Sequence, residues 1–142
     1  MIIRTAQALW QGDLKNGKGE FSLGSGAFTG KYSFTSRFEE GKGTNPEELI
    51  GAAHAGCFSM ALSADLSKGG YTVDEIQTEA QVTMDKTEGG FAITKIKLLT
   101  KARVQNITMA EFAKYASEAK QNCPISKALA CVDIELEAHL LK

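Results

Sequence analysis

The stretch that decides the fold is Thr44-Asn45-Pro46-Glu47-Glu48-Leu49-Ile50-Gly51-Ala52-Ala53-His54-Ala55-Gly56-Cys57-Phe58-Ser59-Met60-Ala61-Leu62, running on to Lys68 and then Gly69-Gly70. Its start carries helix N-terminal chemistry. Asn45 can cap the first amides, Pro46 fits the first helical position, and Glu47 and Glu48 suit the positive end of the helix dipole. Gly69-Gly70 predicts the stop. Between Leu49 and Leu62 there is no wide polar face, so the helix is expected to be covered on most sides. Its small residues would let another backbone approach closely. This points to a central helix, packed in a two-fold dimer against its own copy.

Alternation of period two follows the helix. Ile76, Thr78, Ala80, Val82 and Met84 face one way, with Gln77, Glu79, Gln81, Thr83 and Asp85 opposite. After the turn at Glu88-Gly89-Gly90, Thr94, Ile96, Leu98, Thr100, Ala102 and Val104 continue the apolar face of a long hairpin. A second helix is expected from the Thr108 cap to Asn122, and a short one from Pro124 to about Leu129. A last strand follows, with Val132, Ile134, Leu136, Ala138 and Leu140 on one face. Its acids, Asp133, Glu135 and Glu137, are expected beside Lys95, Lys97 and Lys101. Upstream, residues 1–10 and about 18–23 suggest strands joined by a hairpin turn at Asn16-Gly17. Tyr32, Phe34 and Phe38 suggest a third strand. The pattern predicts one α+β domain over residues 1–142, with antiparallel sheets.

Composition narrows the function classes. The chain has 142 residues, 43% of them hydrophobic, with 16 Lys+Arg against 17 Asp+Glu and a net charge of −1. This balance argues against a nucleic-acid or polybasic membrane partner. No run of 18 uncharged apolar residues predicts a membrane span. The first residues do not read as a secretory signal, so a cytoplasmic location is the expectation. No phosphate-loop, dinucleotide or nucleophile-elbow pattern occurs. His54 and Cys57 alone fall short of a zinc set, which leaves His54 as a packed residue or one lining a cavity, and neither metal nor cofactor is expected.

The odd count of three cysteines, Cys57, Cys123 and Cys131, fits no closed disulfide framework. Cys57 reads either as a small core residue or as a nucleophile. Cys123, just before Pro124, is either a loop or capping residue or a thiol activated at a helix start. Cys131 reads as a packed strand residue. Two separated cysteines suggest catalytic redox more than a permanent staple. Arg37 and Glu47 are candidates to hold a thiolate and to fix the arginine, although each also reads as ordinary surface charge. Glu47 and Cys57 lie ten positions apart on one helix. That is about 15 Å along the axis, so an arginine must span them or a second subunit must contribute.

Two segments then resemble the osmotically inducible protein C and organic hydroperoxide resistance family, and are closer to the first branch. One is Arg37-Phe38-Glu39 followed by Gly43 through Leu62. The other is Asn122-Cys123-Pro124-Ile125-Ser126 with Lys127-Ala128-Leu129. The resemblance implies an intertwined homodimer with sheets wrapped around central helices. It implies that Cys57 is the peroxidatic cysteine and Cys123 the resolving one, with Arg37 and Glu47 as the active-site pair. It implies an antioxidant, stress-response peroxidase reducing organic hydroperoxides, and hydrogen peroxide less well, through a sulfenic acid and an intrachain disulfide. An external dithiol or lipoyl-type reductant would restore the thiols. Phe58, Met60 or other aromatic and aliphatic groups are expected to select an apolar peroxide tail. The alternative is a non-enzymatic protein that binds a small apolar ligand.

Overall fold

The computed structural model describes all residues from Met1 to Lys142. It divides into two compact units, Met1–Leu49 and Ile50–Lys142. The boundary falls inside one helix, just past its first turn.

The first unit holds three short strands, β1 (Ala6–Gln11), β2 (Lys18–Leu23) and β3 (Thr29–Tyr32), in an antiparallel sheet of order β1-β2-β3. The β1–β2 hairpin forms as expected, but its turn is wider than the Asn-Gly pair suggests. Asp13 organises it, its carboxylate accepting from the Asn16 amide at 2.7 Å and its carbonyl from the Gly17 amide at 2.9 Å. Trp10, Phe21 and Tyr32 share one face, with Phe21 and Tyr32 stacked at 3.9 Å. The first strand is shorter than the expected span of residues 1–10, and Ile3, Thr5 and Leu9 make up no buried face. β1 begins only at Ala6, and all three side chains are exposed.

The third strand also ends earlier than expected. Phe34 and Phe38 belong to a one-turn helix, α1 (Phe34–Phe38). Ser33 caps it in a reciprocal box with Ser36. The two rings stand four positions apart, the helical spacing, and meet at 5.0 Å. Gly43 then turns the chain at φ 122°. A Cβ built there would stand 2.5 Å from the Lys31 carbonyl oxygen, so only glycine fits.

Helix α2 (Pro46–Lys68) begins and ends where its punctuation places it. The Asn45 side-chain oxygen accepts from the Glu48 amide at 2.8 Å. Its most apolar window of 18 residues has a mean hydropathy of 1.3, enough by length and composition to cross a membrane, and only 28% of that window is buried. The buried side is a core face of the second unit, formed by His54, Phe58, Leu62 and Leu66. The opposite stripe of Ala53, Gly56, Met60 and Ala64 is exposed, so in the isolated chain the helix is covered on one side rather than on most.

The second unit is built on β4 (Val73–Thr87), β5 (Gly90–Val104) and β6 (Asp133–Leu140), in the order β4-β5-β6. The central strand contributes Ile96, Leu98, Thr100, Ala102 and Val104 to the buried layer. Helix α3 (Met109–Asn122) covers it with Phe112, Ala116 and Ala119. α2 approaches β4 closely at Gly51, where an added Cβ would lie 3.3 Å from Val82 Cγ2. The buried Thr100 hydroxyl is satisfied through Thr78, which also meets Ser59 of α2 at 2.8 Å.

Two expectations for this sheet need correction. β4 and β5 are antiparallel, but β6 runs parallel to β5. The chain between them passes through α3 and α4 (Pro124–Ala128), the kind of crossover that parallel pairing requires. The inward face of β5 also starts at Ile93, not Thr94. A bulge pairs Thr83 with Lys95 and Met84 with Ile93, leaving Thr94 as the extra residue. The predicted charge match does form. Lys95 meets Glu135 at 2.9 Å and Lys97 meets Glu137 at 3.2 Å. The Lys95 ammonium, by hydrogen bond and charge, holds the Glu135 carboxyl below its ordinary range.

Candidate active site

The four singled-out residues fall into two pairs, one in each unit. In the first unit Arg37 lies in the last turn of α1 and Glu47 in the first turn of α2. Two short bonds tie these segments together. Ser36 Oγ donates to the Thr44 carbonyl at 2.7 Å, and Asn45 Nδ2 donates to the Ser36 carbonyl at 3.1 Å. Across this clamp Arg37 forms a fork with the largely buried Glu47 carboxylate. Nη2 reaches Oε1 at 2.7 Å, and Nε stands 3.1 and 3.3 Å from Oε1 and Oε2. Such two-point contacts fix the plane of a guanidinium as well as its position. Arg37 also lies over the Phe38 ring at 5.3 Å. A cleft of about 270 Å³ opens beside it, walled by Trp10, Leu14, Tyr32, Phe34 and Phe38.

In the second unit Cys57 lies on the half-buried flank of α2, and the Cys123 thiol lies against it. All three cysteines are reduced. Burial pushes the Cys57 thiol above its ordinary value of 9.0, and the neighbouring Cys123 pushes the same way. The Ile125 backbone N–H, which bonds the Cys57 sulfur, acts in the opposite sense. Cys123 is the residue where α3 ends and α4 begins. Its amide donates to the Ala119 carbonyl at 3.0 Å, and its sulfur accepts from the Ser126 amide at 3.4 Å. Cys131 is exposed rather than packed, because it precedes the first residue of β6.

Two residues with no assigned chemistry in the sequence reading join this corner. The Ser126 hydroxyl stands 3.0 Å from Cys123 Sγ and 2.8 Å from His54 Nε2. His54 is 0% exposed, and burial lowers its pKa from the ordinary 6.5. The i,i+3 spacings His54–Cys57 and Cys123–Ser126 were the available signals that these side chains flank the thiols. Phe58, expected to select a peroxide tail, is 0% exposed and belongs to the core. Met60 is 76% exposed on the open stripe of α2. No group of three or more His, Cys, Asp or Glu side chains is arranged to hold a metal ion.

An α+β chain that sets two reduced thiols together on separate helices has the form of a dithiol redox protein. Comparison with known proteins gives the particular family. The family model described as OsmC-like protein matches residues 39–137. Peroxiredoxin OsmC of Escherichia coli (strain K12) is 50% identical over 129 residues, covering 90% of each chain. The organic hydroperoxide resistance protein OhrB of Bacillus subtilis (strain 168) is 32% identical over 97 residues, 67% of this chain and 69% of the relative. The crystal structure of OhrB from Bacillus subtilis superposes with a TM-score of 0.75 at 27% identity, covering 94% of this chain and 97% of that one. The chain belongs to the OsmC-like family.

Proposed function

We propose that this protein is a cysteine-based peroxidase that reduces organic hydroperoxides, and hydrogen peroxide less well, at the expense of a dithiol. The observation that carries the reading is the pair of reduced thiols on α2 and at the α3–α4 junction, in a chain 50% identical to a peroxiredoxin over 129 residues. The Cys57 sulfur attacks one peroxide oxygen and the O–O bond breaks. The departing oxygen leaves as alcohol, or as water from hydrogen peroxide, after taking a proton. Cys57 becomes a sulfenic acid. The Cys123 sulfur then attacks the Cys57 sulfur, the S–O bond breaks, and water departs as the disulfide forms. Two thiol–disulfide exchanges with an external dithiol or lipoyl-type reductant restore both thiols. The cycle uses no metal or organic cofactor.

Burial and the neighbouring Cys123 both raise the Cys57 thiol, so the cycle needs a cation to favour its thiolate. Arg37 is that cation, and Glu47 holds its fork in one orientation. The aromatic cleft beside Arg37 suits an apolar peroxide tail better than the core residue Phe58 does. The family match runs over residues 39–137 and crosses the boundary between the units, which supports reading residues 1–142 as one functional domain. The catalytic test uses tert-butyl or cumene hydroperoxide with a dithiol. Turnover of many equivalents is expected, and thiols left reduced by peroxide would reject the reading.

The active form is an intertwined homodimer. The exposed stripe of Ala53, Gly56, Met60 and Ala64 supports this, because small residues let two copies of α2 approach closely while covering Met60. A second subunit also answers the axial distance between Glu47 and Cys57. Sedimentation at micromolar concentration is expected to give twice the 15.3 kDa chain mass, and a monomer there would refute the dimer. Exposed Cys131 and a dithiol-dependent cycle suit a reducing cytoplasm.

A further inference from the structure

The most unusual buried group outside the two pairs is His54. Its Nε2 bonds the Ser126 hydroxyl at 2.8 Å, while its Nδ1 is buried with no partner. Buried imidazoles ordinarily have both nitrogens satisfied. The same Ser126 hydroxyl stands 3.0 Å from Cys123 Sγ, which is itself 1% exposed. An unbroken chain of exchangeable hydrogens therefore runs from the Cys123 sulfur through Ser126 Oγ to His54 Nε2. The titratable groups along this chain are Cys123 and His54 themselves, with Cys57 against Cys123 and three positions from His54 on α2.

We infer that Ser126 and His54 form a proton relay that deprotonates Cys123 as it closes the disulfide with Cys57. Ser126 touches the reacting sulfur, and His54 acts through it. With Cys123 as a thiol, S–H donates to Ser126 Oγ and the hydroxyl donates to Nε2. As the Cys123 sulfur attacks, both hydrogens move one place along. The imidazole now carries the proton, its Nε2–H donates to Oγ, and the hydroxyl points back at the sulfur. The Cys123 electron pair makes the S–S bond. The S–O bond of the Cys57 sulfenic acid breaks, and the hydroxide that leaves takes up the proton to become water. The buried imidazole is neutral near pH 7 and so is ready to accept. Disulfide closure needs such an acceptor because thiolate, not thiol, is the nucleophile.

The sulfenic step rests on the peroxidase reading, but the relay can be tested without peroxide. In a Cys131→Ser background, the reduced protein is mixed with excess dithiobis-nitrobenzoate. Cys57 releases one thionitrobenzoate at a rate proportional to reagent. Cys123 then releases the second at a rate independent of reagent. In Ser126→Ala, the second phase is expected to slow about tenfold or more while the first is unchanged. Its pH profile should change as well. Near neutral pH the parent's second phase should depend only weakly on pH, because the imidazole takes the proton, whereas the variant's, which must lose that proton to solvent hydroxide, should rise steadily with pH. Ser126→Thr, which keeps the hydroxyl, should restore most of the rate, and His54→Gln should behave like Ser126→Ala. A Ser126→Ala second phase with the parent's rate and pH profile would overturn the relay. Cumene hydroperoxide consumption by the parent tests the peroxidase reading separately.

Discussion

Replacing Cys57 with serine is expected to lower hydroperoxide turnover by at least about 1,000-fold. A serine hydroxyl in the same half-buried place on α2 is almost never ionised at neutral pH, and the thiol left in that corner, Cys123, is 1% exposed. The companion substitution, Cys123→Ser, has a different signature. It should still consume the first equivalent of cumene hydroperoxide. It should then hold Cys57 as a sulfenic acid that dimedone labels, because the thiol that condenses with it is gone. The two variants together assign the order of events. Full turnover in Cys57→Ser would transfer the nucleophilic role to another cysteine, and equal loss of the first equivalent in both variants would erase the distinction between attacking and resolving thiols.

The second large effect is on stability. Phe58 is the neighbour of Cys57 on α2 but faces the other way, fully enclosed with Leu62, Leu66, Ile96, Leu98 and Phe112. Phe58→Ala deletes a ring and leaves a cavity that helices and a central strand cannot fully collapse. A loss of about 3–5 kcal/mol is expected. Against a total stability of about 5–15 kcal/mol for a domain, that is a large share. Urea unfolding of the reduced protein should show a lower midpoint at an unchanged slope. A midpoint within error of the parent would mean that the enclosure of Phe58 contributes little to stability.

Helix α2 was legible almost to the residue, because its limits are written in local chemistry. Asn45 caps it, Pro46 opens it and Gly69-Gly70 closes it. The inward faces of β4 and β6 were legible for a similar reason, since alternation reports a face directly. Alternation does not report strand direction, however. The parallel pairing of β6 with β5 was hidden in the residues that separate them rather than in the strands. The bulge at Thr94 was hidden because a single extra residue leaves both flanking patterns intact. α1 was missed by weighting aromatic content over spacing, although Phe34 and Phe38 stand one helical turn apart.

The candidate site divides along the same line. Cysteine, arginine and glutamate carry chemistry that can be suspected from residue type, and the Arg37–Glu47 pairing survived as a two-point contact. The contact between His54 and Ser126 spans 72 positions and exists only after folding. Neither residue type is unusual, so only their i,i+3 spacings from Cys57 and Cys123 mark them, and nothing local joins one to the other.

Cys123 ends one helix and starts the next, and its sulfur holds the Ser126 amide in the first turn of α4. In the proposed cycle the atom that fastens this joint also passes between thiol and disulfide, so the start of a five-residue helix and the resolving chemistry share one sulfur.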